Sequence, residues 1–551
     1  MTATLRRNLL RKIVSSGYQI SPDALEYIIG LDAPEKVIDF IVTKGKDSEL
    51  PTVLSQGYLA SLVDDMKHSE KSPDIRDATI SEMEDTEELP SMLEINDVEP
   101  ISRNQPISLD ENIIILKNPI FERVGSSGSI EDFLALFKDR FKRIEKIYMG
   151  RIDTRNAITP AAARKRRSFT RRRFNPESGR RERPPTFVVL GIVSNKSVSK
   201  SRNIILELEG EEGDSITCIV PAGSEGLERT YLQEKGNSVL LDETVCVSGY
   251  VDEDGRMIAD DILFPDIPTV RKRGRATRDV YSTFISDLHI GSEEFLEDEF
   301  DSFVNWLNGK DVDTADRNMV EKIKYVFIAG DIVDGIGVYP SQRADLLIDD
   351  VIEQYELALK KLRRIPKHIK IIAIPGNHDA DRQALPKPPL SEQFAGPLYK
   401  LGDRLIMLGD PSHIEVENVK VLLTHGDSQD DLVVNTPGAS YLKPAIGMKE
   451  LLKKRHLAPI YGGKTELAPL HRDWLVIDTP PDIVHFGHAH KNALDEYRGV
   501  QIINSGTFQS QTDFMRKQGI VPTPGLVTIV NLRTGQPQLK AFYDFSKMDG
   551  V

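Results

Sequence analysis

Five short motifs rich in histidine, aspartate and asparagine stand in the second half of the chain, each directly after a run of apolar residues. Carboxylate, amide oxygen and imidazole together suit Mn²⁺, Fe²⁺ or Zn²⁺ better than Ca²⁺. The chain has only two cysteines, which disfavours a cysteine-bound structural zinc. A pair of such ions can activate water for attack on a phosphoryl group. The candidate residues are Asp287, His289, Asp331, Asp334, Asn377, His378, His425, His488 and His490.

These motifs belong to a predicted α/β region that begins near residue 278. Apolar segments such as KYVFIAG and KIIAIPG alternate there with amphipathic segments such as ADLLIDDVIEQYELALKKL. Such an alternation predicts buried strands with intervening helices. Because α/β folds place their sites just after the carboxyl ends of strands, we expect the motifs to meet in space.

The motifs D-x-H, G-D-x-x-D, G-N-H-D, a single histidine after a strand, and G-H-x-H resemble, in this order, the signature of the calcineurin-like metallophosphoesterases. The resemblance covers residues 278–551 and implies an α/β phosphoesterase domain, a β-sandwich flanked by helices. It implies a first divalent ion bound by Asp287, His289, Asp331 and His490. It implies a second ion bound by Asp331, Asn377, His425 and His488, with Asp331 bridging the two. Mn²⁺ is the expected metal, with Zn²⁺ or Fe²⁺ as alternatives.

The same resemblance gives His378 a catalytic role instead of a metal-binding one. His378 is expected to reach the scissile phosphate or to protonate the leaving oxygen, with Asp334 orienting it. A carboxylate on the far ring nitrogen raises the pKa of an imidazole and fixes its tautomer. The alternative for Asp334 is that it only caps the following turn.

Other acids and histidines are expected to have structural roles. Asp379 and Asp381 are predicted to stabilise their loop, and His485 to pack inside a strand or to support the site. The histidines without ligand-like neighbours are predicted to lie on the surface or in packing contacts; they are His413, His456 and His471.

The first half of the chain predicts several further segments. Residues 1–65 have the apolar spacing of a helical module. Residues 66–105 are rich in serine and acids, and we predict a disordered linker. Residues 106–155 are predicted to be mixed α/β. Residues 186–270 alternate in strand fashion between turns, which predicts a five-stranded barrel, with the OB-fold as the best match.

Residues 156–185 form a basic linker or arm. Two roles are possible for this segment. Charge runs are often solvated tails, yet lysine and arginine also release counterions from nucleic acid. Phe169 and Phe174 could stack on bases. The predicted DNA contacts are Arg164, Lys165, Arg166, Arg167, Arg171, Arg172 and Arg173.

The order of a helical module, a barrel and a phosphoesterase domain resembles the small-subunit family of archaeal D-family DNA polymerases. The segments SDLHIGS, FIAGDIVDG, IPGNHD, LLTHGDS and FGHAHKN carry the same resemblance. It implies a 3′–5′ exonuclease that proofreads for a large catalytic subunit, with which it forms a heterodimer. It implies single-stranded DNA with a primer 3′ end as substrate and a sliding clamp as a further partner. Nucleotide polymerisation would belong only to the complex.

Two other functions stay open at this point. One is a non-catalytic bridging subunit with a vestigial metal site, which the complete ligand set disfavours. The other is a free-standing metallophosphoesterase, which the appended barrel, basic arm and helical module disfavour.

Composition places the chain among soluble multidomain proteins. It has 551 residues and a formal net charge of −14, and we find no apolar run of the roughly 18 residues that a spanning helix needs. The segment MTATLRRNLLRKIV lacks the apolar core of a signal peptide, so we expect a cytoplasmic protein without a membrane partner. Cys218 and Cys246 lie in strand-like segments and are predicted to be buried thiols.

Overall fold

The computed structural model describes residues 19–20, 28, 53–54, 107–110, 112–166, 174–175, 180–181, 185–222, 227–310 and 312–547. The chain divides into two units, residues 1–99 and 100–551. In the first unit, strand β1 (Gln19–Ile20) pairs in parallel with β2 (Val53–Leu54), and Ile28 is buried. The rest of the predicted helical module and the acidic segment 66–105 lie outside the described residues.

The second unit contains the remaining strands and the longer helices of the described residues. Its strands in chain order are β3 (Ile107–Asp110), β4 (Ile113–Lys117), β5 (Phe174–Asn175), β6 (Arg180–Arg181), β7 (Phe187–Val198), β8 (Ile204–Glu209), β9 (Ser215–Val220), β10 (Thr244–Val251), β11 (Met257–Leu263), β12 (Tyr281–Ile285), β13 (Ile323–Ala329), β14 (Lys370–Ile374), β15 (Leu405–Met407), β16 (Ser412–Val416), β17 (Val419–Leu423), β18 (Ile483–Phe486), β19 (Ala493–Tyr497), β20 (Val500–Asn504), β21 (Leu526–Asn531) and β22 (Pro537–Ala541).

The helices in chain order are α1 (Ile130–Met149), α2 (Pro160–Lys165), α3 (Leu227–Ser238), α4 (Glu297–Leu307), α5 (Thr314–Val320), α6 (Val351–Leu362), α7 (Glu392–Tyr399), α8 (Gln429–Asn435), α9 (Pro444–Lys454) and α10 (Asp513–Gln518). Short 3₁₀ helices occupy Phe121–Arg123, Gln342–Asp345, Gly402–Arg404 and Phe545–Lys547. No described helix is both long enough and apolar enough to cross a membrane.

The predicted five-stranded barrel is confirmed. Its strands follow the order β10-β11-β9-β8-β7, and β7 pairs with β10 to close it. Along β8, buried Ile204, Leu206 and Leu208 alternate with more exposed side chains, as expected of a strand with one face on a core. Cys218 of β9 and Cys246 of β10 are buried free thiols, as predicted.

Two mixed sheets form the larger part of the second unit. The six-stranded sheet has the order β15-β14-β13-β12-β21-β22, and the seven-stranded sheet has the order β19-β20-β18-β17-β16-β4-β3. Strands β3 and β4 precede the barrel in the chain, and β4 pairs antiparallel with β16. The chain therefore builds part of this sheet before the barrel and the rest after it.

The core between the two sheets is apolar and aromatic. Phe284 of β12 stacks on Phe327 of β13 with ring centroids 5.0 Å apart. Both pack in one buried cluster with Ile414 of β16 and Ile503 of β20, so the two sheets face each other. Full burial of one such side chain stabilises the fold by about 1.5–3 kcal/mol.

Helices cover the outer faces of this sandwich. Phe303 of α4 and Tyr355 of α6 pack against the six-stranded sheet. Leu432 of α8 and Leu451 of α9 pack against the seven-stranded sheet. The architecture is thus a β-sandwich flanked by helices, with the closed barrel beside it.

Helix α1 connects the barrel to the sandwich. It begins at a capping box, in which Ser129 and Asp132 each satisfy a backbone N–H of the other residue. Its buried Tyr148 packs with barrel residues, and its Arg140 donates to Asp473 of the sandwich at 2.7 Å. Both ends of that ion pair are 1% exposed.

Candidate metal centre

The five motifs stand just after the carboxyl ends of five strands. Asp287 follows β12, Asp331 follows β13 and Asn377 follows β14, which are parallel neighbours in one sheet. His425 follows β17 and His488 follows β18, parallel neighbours in the other sheet. Both sheets therefore contribute side chains to one site between their ends.

One cluster of potential ligands contains Asp287, His289, Asp331 and His490. The Nε2 atoms of His289 and His490 lie 3.0 Å apart. His490 Nε2 is 3.3 Å from Asp287 Oδ1, and His289 Nε2 is 3.6 Å from Asp331 Oδ2. All four residues are buried. Ligand atoms of three of them, Asp287, His289 and His490, lie within 4.8 Å of one another.

A second cluster shares Asp331 with the first. His425 Nε2 lies 3.2 Å from Asp331 Oδ2 and 2.9 Å from Asn377 Oδ1. His488 Nδ1 lies 3.1 Å from the same oxygen of Asn377. The structure therefore places the Asp331 carboxylate between the two groups of ligands that the resemblance implies.

In three of these histidines, the ring nitrogen that faces away from the other ligands lies within hydrogen-bond distance of an oxygen atom. His289 Nδ1 lies 2.9 Å from Asp334 Oδ1, and His425 Nδ1 lies 2.8 Å from the carbonyl oxygen of Ala329. His488 Nε2 lies 2.9 Å from Asp430 Oδ1. Such contacts orient imidazoles that bind metals, because they fix the tautomer and leave the other nitrogen facing the ion. The donor set therefore fits a pair of divalent cations.

The backbone of the site is strained at five residues. Positive φ angles, between 50° and 65°, occur at Asp287, His289, Asp331, His488 and His490. A residue other than glycine in this region costs of the order of 1–3 kcal/mol and persists where surrounding contacts enforce it, commonly at functional sites.

Glycine is required where the loops meet. A Cβ atom on Gly376 would lie 2.1 Å from Asp331 Oδ1, and one on Gly487 would lie 2.6 Å from Asp287 Oδ2. The G-N-H-D and G-H-x-H motifs therefore need their glycines for close packing against the carboxylates.

His378 lies beside the clusters and contacts them through its backbone and through its ring, whose centroid is 4.6 Å from that of His289. Its N–H donates to Asp331 Oδ1 at 2.8 Å, and its Nδ1 lies 2.8 Å from the backbone carbonyl oxygen of Asp334. The Asp334 carboxylate lies farther away, with Oδ1 3.8 Å from His378 Nδ1, so Asp334 contacts His378 at hydrogen-bond distance through its carbonyl oxygen. That carboxylate contacts His289 through Oδ1 and accepts a hydrogen bond at Oδ2 from the Gln342 amide at 2.9 Å. The orienting role of Asp334 stays a prediction.

The site is electrostatically coupled. Burial lowers the pKa of His425, but Asp331 and Asp287 outweigh it and raise that pKa to about 10. Burial likewise raises the pKa of Asp331, and the surrounding histidines hold it well below its usual range. The carboxylates thus favour positive charge at this point, as expected of a cation site.

Asp379 ties the loops after β13 and β14 together. Its carboxylate accepts from the backbone N–H groups of Gly376, Ile332 and Val333 at 2.9, 3.2 and 3.3 Å. Burial raises its pKa to about 6. The predicted loop-stabilising role of Asp379 agrees with these contacts.

Several supporting residues were not singled out in the sequence. Asp430, in the first turn of α8, binds His488, but nothing in its local pattern separates it from the adjacent Asp431. Asp427 accepts from the fully buried Lys387 at 2.7 Å. Asp427 stands in the segment LLTHGDS, two residues after the candidate ligand His425, and this position is what could have identified it from the sequence.

The other histidines have structural surroundings. His485 Nε2 lies 2.8 Å from the Ser505 hydroxyl, and burial lowers the pKa of His485 to about 3. His413 and His456 are buried, whereas the His471 side chain is 79% exposed.

Two cavities meet at His378. One of about 400 Å³ is bordered by the ligand clusters, and one of about 530 Å³ lies on the side of Asp381 and Arg382. Both are within the size range of sites for small ligands.

The basic segment is described only in part. Arg164, Lys165 and Arg166 are exposed at the end of α2, and the Arg166 guanidinium lies 5.7 Å from the centre of the Phe187 ring. Strands β5 and β6 pair antiparallel farther along. The other predicted DNA contacts lie outside the described residues; they are Arg167, Arg171, Arg172 and Arg173.

Comparison with known proteins gives a consistent set of relatives. Residues 283–493, which include all nine candidate site residues, match a family model for the B subunit of DNA polymerase alpha/epsilon. The chain is 41% identical over 404 residues to the DNA polymerase II small subunit of Archaeoglobus fulgidus, covering 73% of this chain and 75% of that protein. It is 30% identical over 532 residues to that of Halobacterium salinarum, covering 96% and 97%.

A further relative is longer than the matched region. The chain is 40% identical over 407 residues to the DNA polymerase II small subunit of Methanocaldococcus jannaschii, covering 74% of this chain and 64% of that protein. The match thus spans slightly less than two thirds of that relative.

Similarities to solved structures are distant. An archaeal phosphodiesterase has 16% identity and a TM-score of 0.25, covering 47% of this chain and 99% of that one. Vps29 complexed with Zn²⁺ from Entamoeba histolytica has 17% identity and a TM-score of 0.22, covering 47% and 97%.

Proposed function

The chain belongs to the family of archaeal DNA polymerase II small subunits, and from this premise we propose that it is a 3′–5′ exonuclease that proofreads for a large catalytic subunit. The substrate would be the 3′ end of a primer strand in the cytoplasm. Hydrolysis of the last phosphodiester bond would release a nucleoside 5′-phosphate and leave a strand one nucleotide shorter.

The observation that carries this proposal is the position of Asp331. Its carboxylate lies 3.6 Å from His289 Nε2 in one cluster and 3.2 Å from His425 Nε2 in the other. A carboxylate so placed is suited to bridge two ions. A site that had lost its metal function would have no reason to keep both clusters and the strained backbone at five positions.

The ligand assignment follows the two clusters. Two divalent ions, with Mn²⁺ as the expected metal, would polarise the phosphate and supply an activated water. The first would be held by Asp287, His289, Asp331 and His490. The second would be held by Asp331, Asn377, His425 and His488.

His378 is the proposed proton donor to the leaving oxygen. The Asp334 carbonyl can only accept a hydrogen bond, so the His378 Nδ1 that lies 2.8 Å from it must carry the proton of that bond. The Nε2 atom is then the one left to exchange a proton with substrate. To act as the donor, the ring must carry a second proton on Nε2. Transfer of that proton to the 3′-oxygen balances the negative charge left when the phosphorus–oxygen bond breaks, and it leaves the neutral ring with its proton on Nδ1.

The remaining parts suit a strand-binding assembly subunit. The barrel order, with α3 between β9 and β10, supports the OB-fold prediction, and OB-folds bind oligonucleotides. The basic residues at the end of α2 are exposed, so their side chains can contact the phosphates of a DNA strand. We propose that the large subunit and a sliding clamp bind surfaces outside the metal centre, and that polymerisation belongs to the complex.

The direct test is hydrolysis of a 5′-labelled single-stranded oligonucleotide in Mn²⁺. The chain co-purified with the large subunit should give a ladder of products shortened from the 3′ end, and the chain alone should be slower. Proximity of the bound primer end explains the difference, since positioning contributes several kcal/mol to such steps. Hydrolysis that persists unchanged in Asp331→Asn would exclude this site as its source.

The two alternatives give different results in the same test. A bridging subunit would bind the large subunit and show no metal-dependent hydrolysis. A free-standing phosphoesterase would hydrolyse a small phosphodiester at the same rate with or without the large subunit.

A further inference from the structure

We infer that the terminal base of the substrate strand stacks on an aromatic pair, Tyr339 and Phe514, beside the candidate metal centre. The inference rests on the proposed exonuclease function and adds to it the group that is recognised, an unpaired nucleobase. It assigns a binding role to two side chains outside the metal-ligand motifs.

The cavity next to the metal centre has the composition of a nucleotide site. It encloses about 400 Å³ and is lined by ligands of both clusters, by His378, and by the rings of Tyr339 and Phe514. Bases stack on such rings whatever their sequence, because each base has a π-face. A nucleotide in this cavity would have its phosphate at the metal ligands and its base at the aromatic pair.

The two rings are stacked on each other and one of them is uncovered. Their centroids are 6.0 Å apart with an interplanar angle of 25°. Phe514 is 53% exposed, although it stands on α10 beside Met515, which is 7% exposed and anchors the helix. An exposed phenylalanine that lines the cavity leaves apolar surface in water that a base can cover.

Tyr339 is held next to the reacting groups. Its hydroxyl donates to Asp345 Oδ2 at 2.9 Å, and its ring centroid lies 6.2 Å from that of His378. The aromatic pair is therefore fixed beside the proposed proton donor.

A positive charge lies in the wall of the same cavity. The exposed Lys464 lines it, and its charge helps to lower the pKa of Asp430, which lines the same cavity. The Lys464 backbone N–H donates to Asp431 at 2.7 Å, which fixes the loop that carries it. A stacking surface and an ammonium group in one cavity are complementary to a nucleotide.

Stacking of this kind selects for an unpaired end. A base in a duplex is already stacked and paired, so it must leave the helix before it can cover Phe514. A mismatched 3′ nucleotide does so at lower cost than a paired one. The aromatic pair would thus favour removal of mismatched ends.

The test uses the complex with the large subunit, Mn²⁺, and two oligonucleotides that differ only at the 3′ terminus. One ends in a normal nucleotide and the other in an abasic residue. Phe514→Ala should raise KM for the normal oligonucleotide about 5- to 140-fold, the range for loss of one stacked base. The kcat should change little, since stacking is equal in ground and transition states. KM for the abasic oligonucleotide should not change.

Further variants make the result specific. Phe514→Trp should retain the low KM because it keeps an aromatic face, and Phe545→Ala, at an exposed phenylalanine outside the cavity, should behave as wild type. An equal loss on both oligonucleotides in Phe514→Ala would overturn the inference. So would a base-dependent loss in Phe394→Ala, because Phe394 lines the other cavity.

Binding without hydrolysis separates this inference from the function on which it rests. Fluorescence anisotropy in metal-free buffer should show the same base-dependent difference between wild type and Phe514→Ala. Base-dependent binding without any hydrolysis would leave the stacking site standing and remove the exonuclease function. Hydrolysis without base-dependent binding would support the exonuclease function and overturn the stacking site.

Discussion

The Oδ1 atom of Asp334 lies 2.9 Å from Nδ1 of His289. The backbone carbonyl of the same aspartate lies 2.8 Å from Nδ1 of His378. One residue therefore orients a proposed metal ligand with its side chain and the proposed proton donor with its main chain. Substitution of the side chain can separate the two roles.

Asp334→Asn should weaken metal binding more than it slows the chemical step. The amide offers one oxygen where the carboxylate offers two, and its NH₂ group would face either the His289 Nδ1–H or the Gln342 amide that now donates to Oδ2. Loss of such a supporting interaction lowers metal affinity or activity by roughly 10- to 100-fold. We expect this in Mn²⁺ affinity, measured by isothermal titration calorimetry, with the rate at saturating Mn²⁺ within a few-fold of wild type.

The matched control is Asp349→Asn, since Asp349 is an exposed aspartate paired with Arg343 on the surface. It should leave both quantities unchanged. If Asp334→Asn slowed the saturated rate by orders of magnitude and bound Mn²⁺ normally, the carboxylate would act through His378 after all.

The candidate site could be predicted from the sequence because its parts are local. Asp287, Asp331 and Asn377 each stand two or three residues beyond a strand, and the carboxyl ends of adjacent parallel strands necessarily meet. The partner of each side chain could not be predicted in the same way. Asp334 contacts His289 because of the loop conformation after β13, and Asp430 reaches His488 because of how α8 packs.

The fold likewise has features that local sequence predicts and others that it does not. The barrel strands were predictable because alternation along a strand such as β8 is a local signal. The pairing of β4 with β16 joins residues about three hundred positions apart, and no local pattern specifies it. The sequence of residues 106–155 therefore predicted extended structure without predicting which sheet it would join.

His378→Ala should keep metal binding and lose most of the rate. The backbone N–H of His378, which alanine retains, donates to Asp331, and the His378 ring lies edge-on to His289 with centroids 4.6 Å apart. Because the Nδ1 hydrogen bond goes to the Asp334 carbonyl oxygen and not to a ligand, the ligand positions should survive. Removing a general acid lowers rates by roughly 10²–10⁴. Single-turnover hydrolysis in saturating Mn²⁺ measures the rate, and elemental analysis measures the bound metal.

His471→Ala is the control for this experiment, because His471 is exposed and does not line either cavity at the site. It should match wild type in both measurements. A loss of bound metal in His378→Ala would show that His378 is a ligand.

Neutralising the basic segment should flatten the salt dependence of DNA binding. Substitution is preferable to deletion, because Ala163 of α2 is buried in the barrel core. The slope of log K against log salt should fall by about 0.7 for each phosphate of single-stranded DNA that the protein no longer neutralises. The substituted residues, all changed to glutamine, are Arg164, Lys165, Arg166, Arg167, Arg171, Arg172 and Arg173.

Fluorescence anisotropy of a labelled oligonucleotide at several KCl concentrations gives this slope. The comparison variant neutralises exposed lysines outside the segment, namely Lys310, Lys360, Lys367 and Lys400. An equal slope in wild type and in the basic-segment variant would identify the segment as a solvated tail.

Buried histidines should make the fold sensitive to acid below about pH 6.5. Burial lowers the pKa of His413 to about 3 and that of His456 to about 4. Histidines in the unfolded chain keep a pKa near 6.5. The unfolded state therefore binds protons that the folded state does not, so stability is complete above pH 6.5 and falls as the pH drops toward 4.

His413→Leu should remove part of this acid sensitivity. A pH of 4.5 lies about two units below the pKa of His413 in the unfolded chain, so His413 is protonated there, whereas it is neutral in the folded protein. This difference lowers the free energy of unfolding of wild type by about 3 kcal/mol. Urea unfolding at pH 7 and pH 4.5 measures the loss in each protein, and that loss should be about 3 kcal/mol smaller in His413→Leu. His368→Leu, at an exposed histidine, should lose as much stability as wild type. If His413→Leu lost as much as wild type, then His413 would become protonated in the folded protein, which requires solvent to reach a side chain that is now 5% exposed.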